Sequence, residues 1–415
     1  MRRLAVLFVF SAFVVASACR QQDATAGDFL FVWAGDSADQ ASDFLAVIDA
    51  NPASSAYGTI VSSVPTGAAG SHPHHTEATL SATGHLLANG FHAGRTWLFD
   101  LNVPRAPKIL TSFGDLAGFS HPHTFVRLSN GNVLATFQYA ADAGRPDHGA
   151  MAMPGEHATG GLIEMDERGT VVRSGSASDT SIRDKRIYPY SVVELPGVDR
   201  FVSTTTDMDH ADTLATSEWV QFWRASDLTL LKSIALTPGP RGDEHRLTGE
   251  PHLLADGKSL YIHTFSCGLY LVRGADGNAP QSQFVKSFPG SGCGVPILTG
   301  HYWLQPVPDT HSLVVLDITD PAHPREASSL SLGDDEFPHW IAIDKTGRRI
   351  VLNSGGEGAS NRLFMIDFDP ANGKVALDER FRDPGSARPG ISMTGKTWPH
   401  GFSGKALPHG TVFSR

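Results

Sequence analysis

The chain has 415 residues, of which 41% are hydrophobic and only 18% charged, with 42 Gly, 26 Pro and a formal net charge of −10. A chain this long buries an ample core without staples, and the many turn formers, with no long amphipathic helical pattern after the N-terminus, fit a large all-β protein. The acidic balance, offset by no basic patch, excludes phosphate-backbone binding as the main task, so nucleic acid is not an expected partner.

Residues 1–19 read as an export signal, because Arg2 and Arg3 precede the apolar run Leu4 to Val15 and small residues then lead to Cys19. The run is short for a membrane span. Ala16-Ser17-Ala18-Cys19 resembles a bacterial lipoprotein signal with Ala16 where Leu is usual; the alternative is ordinary cleavage after Ala18. Cys19 is therefore a candidate lipidation site, and the folded part is expected outside the cytoplasm, in the periplasm, attached to a membrane only through that lipid. Residues 20–28 form a short linker, and 29–415 read as one domain.

That domain opens with three β-rich runs, 29–35, 43–50 and 58–64, which lack an inner strand of their own. After them the dipeptide Pro-His occurs six times, at His74, His123, His252, His339, His400 and His409, where composition predicts about one. Most copies lead into an alternating apolar stretch, a Gly or Asp-Gly turn and a second β-rich run, as in HTFVRLSNGNVLATFQ from His123. Two segments keep this frame without the His, around Pro189-Tyr190 and Pro296-Ile297. Successive openings lie roughly 40 to 70 residues apart, the range of a four-stranded propeller blade with loop insertions. Six internal blades start near 74, 123, 190, 252, 296 and 339, and the lone tail strand 407–414 pairs with the three N-terminal runs to close a seventh. The expected fold is an all-β, seven-bladed β-propeller.

No P-loop, strand-linked GxGxxG, GxSxG or HExxH is present, so the chemistry falls to the histidines. Innermost strands line a propeller's channel, and equivalent positions on successive blades form a ring at one depth. His74 or His75, His123, His252 and His339, with His400 or His409 from the closing blade, would thus converge on the axis; adjacent strand residues point oppositely, so one of His74 and His75 faces it. Neutral imidazoles in such a ring suit copper, iron or zinc rather than magnesium or calcium. The alternative is a rigid turn at each opening with the imidazole on a backbone carbonyl. Glu77, Glu250 and Glu336 stand near these openings, placed to orient ligand histidines or move protons, or else to form a solvated rim. His72 and His121 are expected at that rim. Cys267 and Cys293 are candidates for a disulfide or for inert buried thiols. The acidic turn Asp207 to Asp212 lacks the Gly and terminal Glu of a calcium loop.

Several segments resemble the selenium-binding protein / methanethiol oxidase family: DFLAVIDANPASSAYGTIVSSVP (43–65), the His74-His75 pair, LFDLNVPRAPKIL (98–110) with its Pro-Arg-Ala-Pro-Lys turn, HPHTFVRLSNGNVLATF and HSLVVLDITDPAHPREASSL (311–330). The resemblance implies that His75, His123, His252 and His311 match family histidines proposed to hold a metal, with His74 as the alternate; His339 comes from the repeat alone. It further implies a copper-dependent oxidase taking a small thiol, O2 and water to an aldehyde, hydrogen sulfide and hydrogen peroxide. The family's Cys-rich segment after the His-His pair is absent here, since HTEATLSATGHLLANG has no Cys. Two other readings are an iron-dependent propeller dioxygenase of the carotenoid-cleaving type, which also sets four histidines around its metal, and a non-catalytic metal- or protein-binding propeller.

Overall fold

A computed structural model describes residues 28–141, 158–182, 185–208, 217–355 and 360–415. The leader-like residues with Cys19, and residues 209–212 of the acidic turn, lie outside the described residues. What is described is all β, with one short 3-10 turn at Pro308–Thr310. Its strands form seven antiparallel sheets arranged as a seven-bladed propeller.

Blade 1 runs from Pro73–Thr76 outward through His85–Gly90 and Arg95–Asp100 to Lys108–Phe113. Blades 2 to 6 begin with Phe119–Arg127, Pro189–Glu194, Thr248–Leu253, Ile297–Thr299 and Pro338–Ile343, and each adds its strands outward in chain order. Blade 7 is built from both ends of the chain: its inner strand is Ser403–Phe413, followed by Phe29–Asp36, Phe44–Asp49 and Ile60–Pro65. The pairing runs from Leu30 with Phe413 to Asp36 with Ala406, so the last strand covers the edge that Phe29–Asp36 would otherwise expose.

Each blade presents two apolar faces, because successive strand residues point to opposite sides of a sheet. Leu30, Val32 and Phe44 pack against Val351, Leu363 and Met365 of blade 6. Phe31 and Trp33, the intervening residues, pack against Trp97 and Phe99 of blade 1. The same sharing recurs between blades 1 and 2, 2 and 3, 3 and 4, 4 and 5, and 5 and 6. The core is thus a ring of seven interblade layers, and blade 7 shares one with each neighbour like every other blade.

The recurring proline has a structural consequence. Lacking an N–H, Pro interrupts the ladder to the second strand, and the register slips by a bulge at that point. Slips fall between Pro73 and Thr76, Pro122 and Phe125, Pro189 and Val192, and Pro338 and Trp340. In blade 4 the proline closes the slip instead of opening it, between Thr248 and Pro251, and in blade 7 the slip spans Pro408 to Thr411. The residues caught in the bulges include His74-His75, His123, Tyr190, Glu250, His339 and His409. Side chains of the second strands staple several bulges to the next blade. Asn89 accepts from His75 N at 2.6 Å and donates to Pro122 O at 2.8 Å. Thr136 accepts from Thr124 N at 3.0 Å and donates to Tyr190 O at 2.8 Å. Asn353 accepts from Trp340 N and donates to His409 O.

Candidate metal centre

The bulges of blades 1 and 2 bring three imidazoles together. His74 and His75 stack with ring centroids 4.5 Å apart, so the bulge turns both toward the centre instead of one to each face. His123 lies 4.9 Å from His74 and 4.2 Å from His75, centroid to centroid. One donor nitrogen from each of the three can be chosen so that all lie within 4.8 Å of one another. All three rings are buried. This triad can hold a metal ion.

A hydrogen bond settles which nitrogen of His123 is free to ligate. His123 Nδ1 is 2.9 Å from the Tyr190 carbonyl, which only accepts, so that nitrogen carries the proton and Nε2 keeps its lone pair. His123 Nε2 and His74 Nδ1 are buried without a hydrogen-bond partner. His75 has Thr124 Oγ1 3.3 Å from Nδ1 and the Tyr190 hydroxyl 3.1 Å from Nε2. Burial, then the fields of neighbouring histidines, hold His74 and His75 well below the ordinary imidazole range, and burial takes His123 down to about 3. The rings are therefore neutral near pH 7, the state a metal ion requires.

Four further bulge residues surround the triad. His409 lies 4.3 Å from His74 between centroids, and its Nε2 is 2.9 Å from His339 Nε2. Burial lowers His339 to about 4 and His409 well below its usual range. Tyr190 is raised well above the ordinary phenol value by burial and by the charge of Glu250, so its hydroxyl stays protonated. Glu250 places Oε1 3.8 Å from His75 Nε2 and Oε2 3.5 Å from His263 Nε2, and burial pushes its carboxyl up to about 8. The Trp340 indole closes one side, edge-on to His75 at 4.9 Å.

The remaining residues singled out in the sequence sit elsewhere. His252 packs against Trp303 at 5.0 Å, with burial holding it at about 4. His311 lies in the turn after Pro308–Thr310, where Nδ1 donates to Glu336 O at 2.7 Å and the ring faces Phe337. The Glu336 carboxylate meets Ser360 and Arg388. Glu77 is buried between blades 1 and 2, where Arg127 and Leu87 N bind it. His400 packs on Phe44 with Nδ1 2.7 Å from Ser63 Oγ. His72 pairs with exposed His92 at 2.9 Å, and His121 lies beside Ser120 and Tyr139. Cys267 and Cys293 form a disulfide that links the blade 4 hairpin to the segment leading into blade 5. Tyr190 stands where the repeat frame puts a His, so its place was signalled; His263, inside the second strand Leu260–Thr264, carried no such mark.

No protein-family model matches the chain. Over 90 residues, 21% of this chain and 20% of the other, it is 34% identical to methanethiol oxidase from Hyphomicrobium sp.. The chain thus matches about a fifth of that relative's length. A hypothetical selenium-binding protein from Sulfolobus tokodaii superposes with a TM-score of 0.70 at 16% identity, covering 94% of both chains. The chain is a remote relative of the selenium-binding protein and methanethiol oxidase family. The propeller itself is shared more widely: the periplasmic gluconolactonase of Pseudomonas aeruginosa superposes with a TM-score of 0.60 at 13% identity, over 93% of this chain and 99% of that one. Fold alone therefore does not choose among enzyme classes, and the histidine triad carries the chemical argument.

The donor set fits a transition metal. Three neutral imidazoles, two with buried lone pairs that no protein donor satisfies, match the borderline acids copper, zinc and iron, whereas a hard cation would draw on oxygen ligands. The Tyr190 carbonyl that fixes the His123 tautomer supplies the outer hydrogen bond expected behind a ligating histidine.

Proposed function

We propose that this protein is an exported, copper-dependent oxidase of small thiols, taking a thiol, O2 and water to an aldehyde, hydrogen sulfide and hydrogen peroxide. The observation that carries the reading is the buried triad His74, His75 and His123, in which His74 Nδ1 and His123 Nε2 have no protein partner, in a chain that matches a methanethiol oxidase over part of its length. Copper held by these residues would bind a soft thiolate and pass electrons between it and O2.

The chain's own residues do the rest. His123 is held in its ligating tautomer by the Tyr190 carbonyl. The Tyr190 hydroxyl, kept protonated by burial and by Glu250, stands 3.1 Å from His75 Nε2 and can donate there. Trp340 and Phe91, packed against His75, His74 and His123, limit water and suit a small apolar substituent on sulfur. Placement outside the cytoplasm, with Cys19 as a lipid anchor, is supported by the leader-like N-terminus and by a buried disulfide, which persists in an oxidising compartment.

The test is elemental analysis of the mature protein purified from cells supplied with copper, iron and zinc, beside a His75→Ala/His123→Ala variant. Near-stoichiometric copper, lost in the variant, together with thiol-dependent O2 uptake by the native protein, is the expected result. Bound iron would move the reading to the dioxygenase class, and no retained metal would leave a scaffold propeller.

A further inference from the structure

Beside the triad, blade 4 carries a group of buried polar atoms that the proposed function leaves unexplained. His263 is fully buried, and neither ring nitrogen has a hydrogen-bond partner. Neither carboxylate oxygen of Glu250 makes a close hydrogen bond, although the Tyr190 hydroxyl stands beside them as a donor, and His252 Nε2 is buried without a partner. Orphaned groups of this kind cost about 1–3 kcal/mol each, more for a charge. Among the described residues the basic side chains within ion-pair distance of Glu250 are the two imidazoles, His75 and His263, and no Lys or Arg.

The spacings point to what is missing. Glu250 Oε2 and His263 Nε2 are 3.5 Å apart, and Glu250 Oε1 and His75 Nε2 are 3.8 Å apart. Both exceed the roughly 3.2 Å limit of a good N–H···O bond. They suit two donors on one ion, because bonds of about 2.0–2.2 Å to a tetrahedral metal put neighbouring donor atoms roughly 3.4 Å apart. The backbone makes room for this arrangement: Gly249 lies in the blade 4 bulge, and a Cβ there would overlap the His263 ring. Glu250 lies in the blade 4 bulge, whereas the bulges of blades 1, 2, 6 and 7 hold histidines.

We propose that Glu250 and His263 hold a second transition-metal cation beside the histidine triad, with the Glu250 carboxylate bridging the two positions. Oε2 faces His263 and Oε1 faces His75 of the first site. His252, whose ring packs on the same Trp303 as His263, is a further nitrogen donor on the same blade. The mixed carboxylate and imidazole set selects zinc or copper over calcium. This inference rests on the reading of the triad as a metal site, and the experiment separates the two.

Metal-free protein is titrated with zinc(II), and again with copper(II), against a chromophoric chelator, and the tightly bound equivalents are counted. Native protein is expected to bind two, and His263→Ala and Glu250→Gln one each. His123→Ala is expected to lose the triad equivalent and keep the one at His263. Circular dichroism checks that each variant folds, and the near-isosteric Glu250→Gln guards against collapse of the cavity in His263→Ala. One equivalent in native protein, removed by His123→Ala and untouched by both blade 4 variants, would overturn the second site and leave the first standing. No bound equivalent in native protein would overturn both.

Discussion

Arg127 reaches from the inner strand of blade 2 to the Glu77 carboxylate of blade 1. Its Nε and Nη2 donate to Glu77 at 2.7 and 3.2 Å, and Nη1 donates to Glu167 at 2.7 Å. The Glu77 side chain is 3% exposed, so Arg127→Met leaves a carboxylate with one remaining donor, Leu87 N, in a nearly dry site. Removing one partner of a buried pair costs about 3–5 kcal/mol, and the 23% exposure of Arg127 argues for the lower end. With an unfolding entropy near 2.1 cal/mol/K per residue, a loss of about 3 kcal/mol in a domain of this size lowers Tm by roughly 4 °C. Burial already raises the Glu77 pKa against the opposing pull of Arg127. Without Arg127 it rises further, the folded state then binds more protons than the unfolded chain above the usual carboxylate range, and stability falls as pH rises. The deficit is therefore larger at pH 8 than at pH 5. Calorimetry at both pH values reads it, and Glu77→Gln in the Arg127→Met background should recover most of the loss. An unchanged Tm, or a double variant no better than the single one, would refute the account.

Reducing or removing the Cys267–Cys293 bridge, which spans 26 residues, frees a loop whose closure is worth about 3.5 kcal/mol in the chain-entropy account; Cys293→Ser should show that loss in urea, chiefly as a shifted midpoint. At Glu244, burial raises the carboxyl, but the Arg241 N–H and the Ser287 hydroxyl outweigh it and leave it at about 2. A depressed carboxylate stabilises above its unfolded value and loses that stabilisation as pH falls from about 4.5 toward about 2. After discounting for solvent screening the contribution is about 1 kcal/mol, and Glu244→Gln should flatten the acid limb of the stability profile by that amount.

The architecture was legible because it repeats. Six openings spaced at blade intervals, and a tail with no sheet of its own, carry enough redundancy to give seven blades and the closure by both termini. The centre was legible only in part, because Pro-His marks a bulge and the sequence pattern says nothing of which bulged side chains meet. His74 and His75 were read as pointing oppositely, as in a regular strand, yet the bulge turns both inward. With the slip placed before the proline in blade 4, the bulge holds Glu250, where the dipeptide had suggested His252. His263 lies in a second strand, outside any repeat, and only the three-dimensional neighbourhood reveals it. His311 was reached through family resemblance, and its hydrogen bond to Glu336 O holds it in a turn of blade 5.

The closing strand Ser403–Phe413 supplies His409, which touches His74 from the opposite end of the chain. A polypeptide emerging from the ribosome or crossing a membrane has blades 1 to 6 before it has a channel, since the axis is enclosed only when its final strand docks beside Phe29–Asp36. The axis is thus enclosed only once the chain is complete, and a product clipped before Ser403 would leave blade 7 without this strand and His74 without the His409 ring beside it.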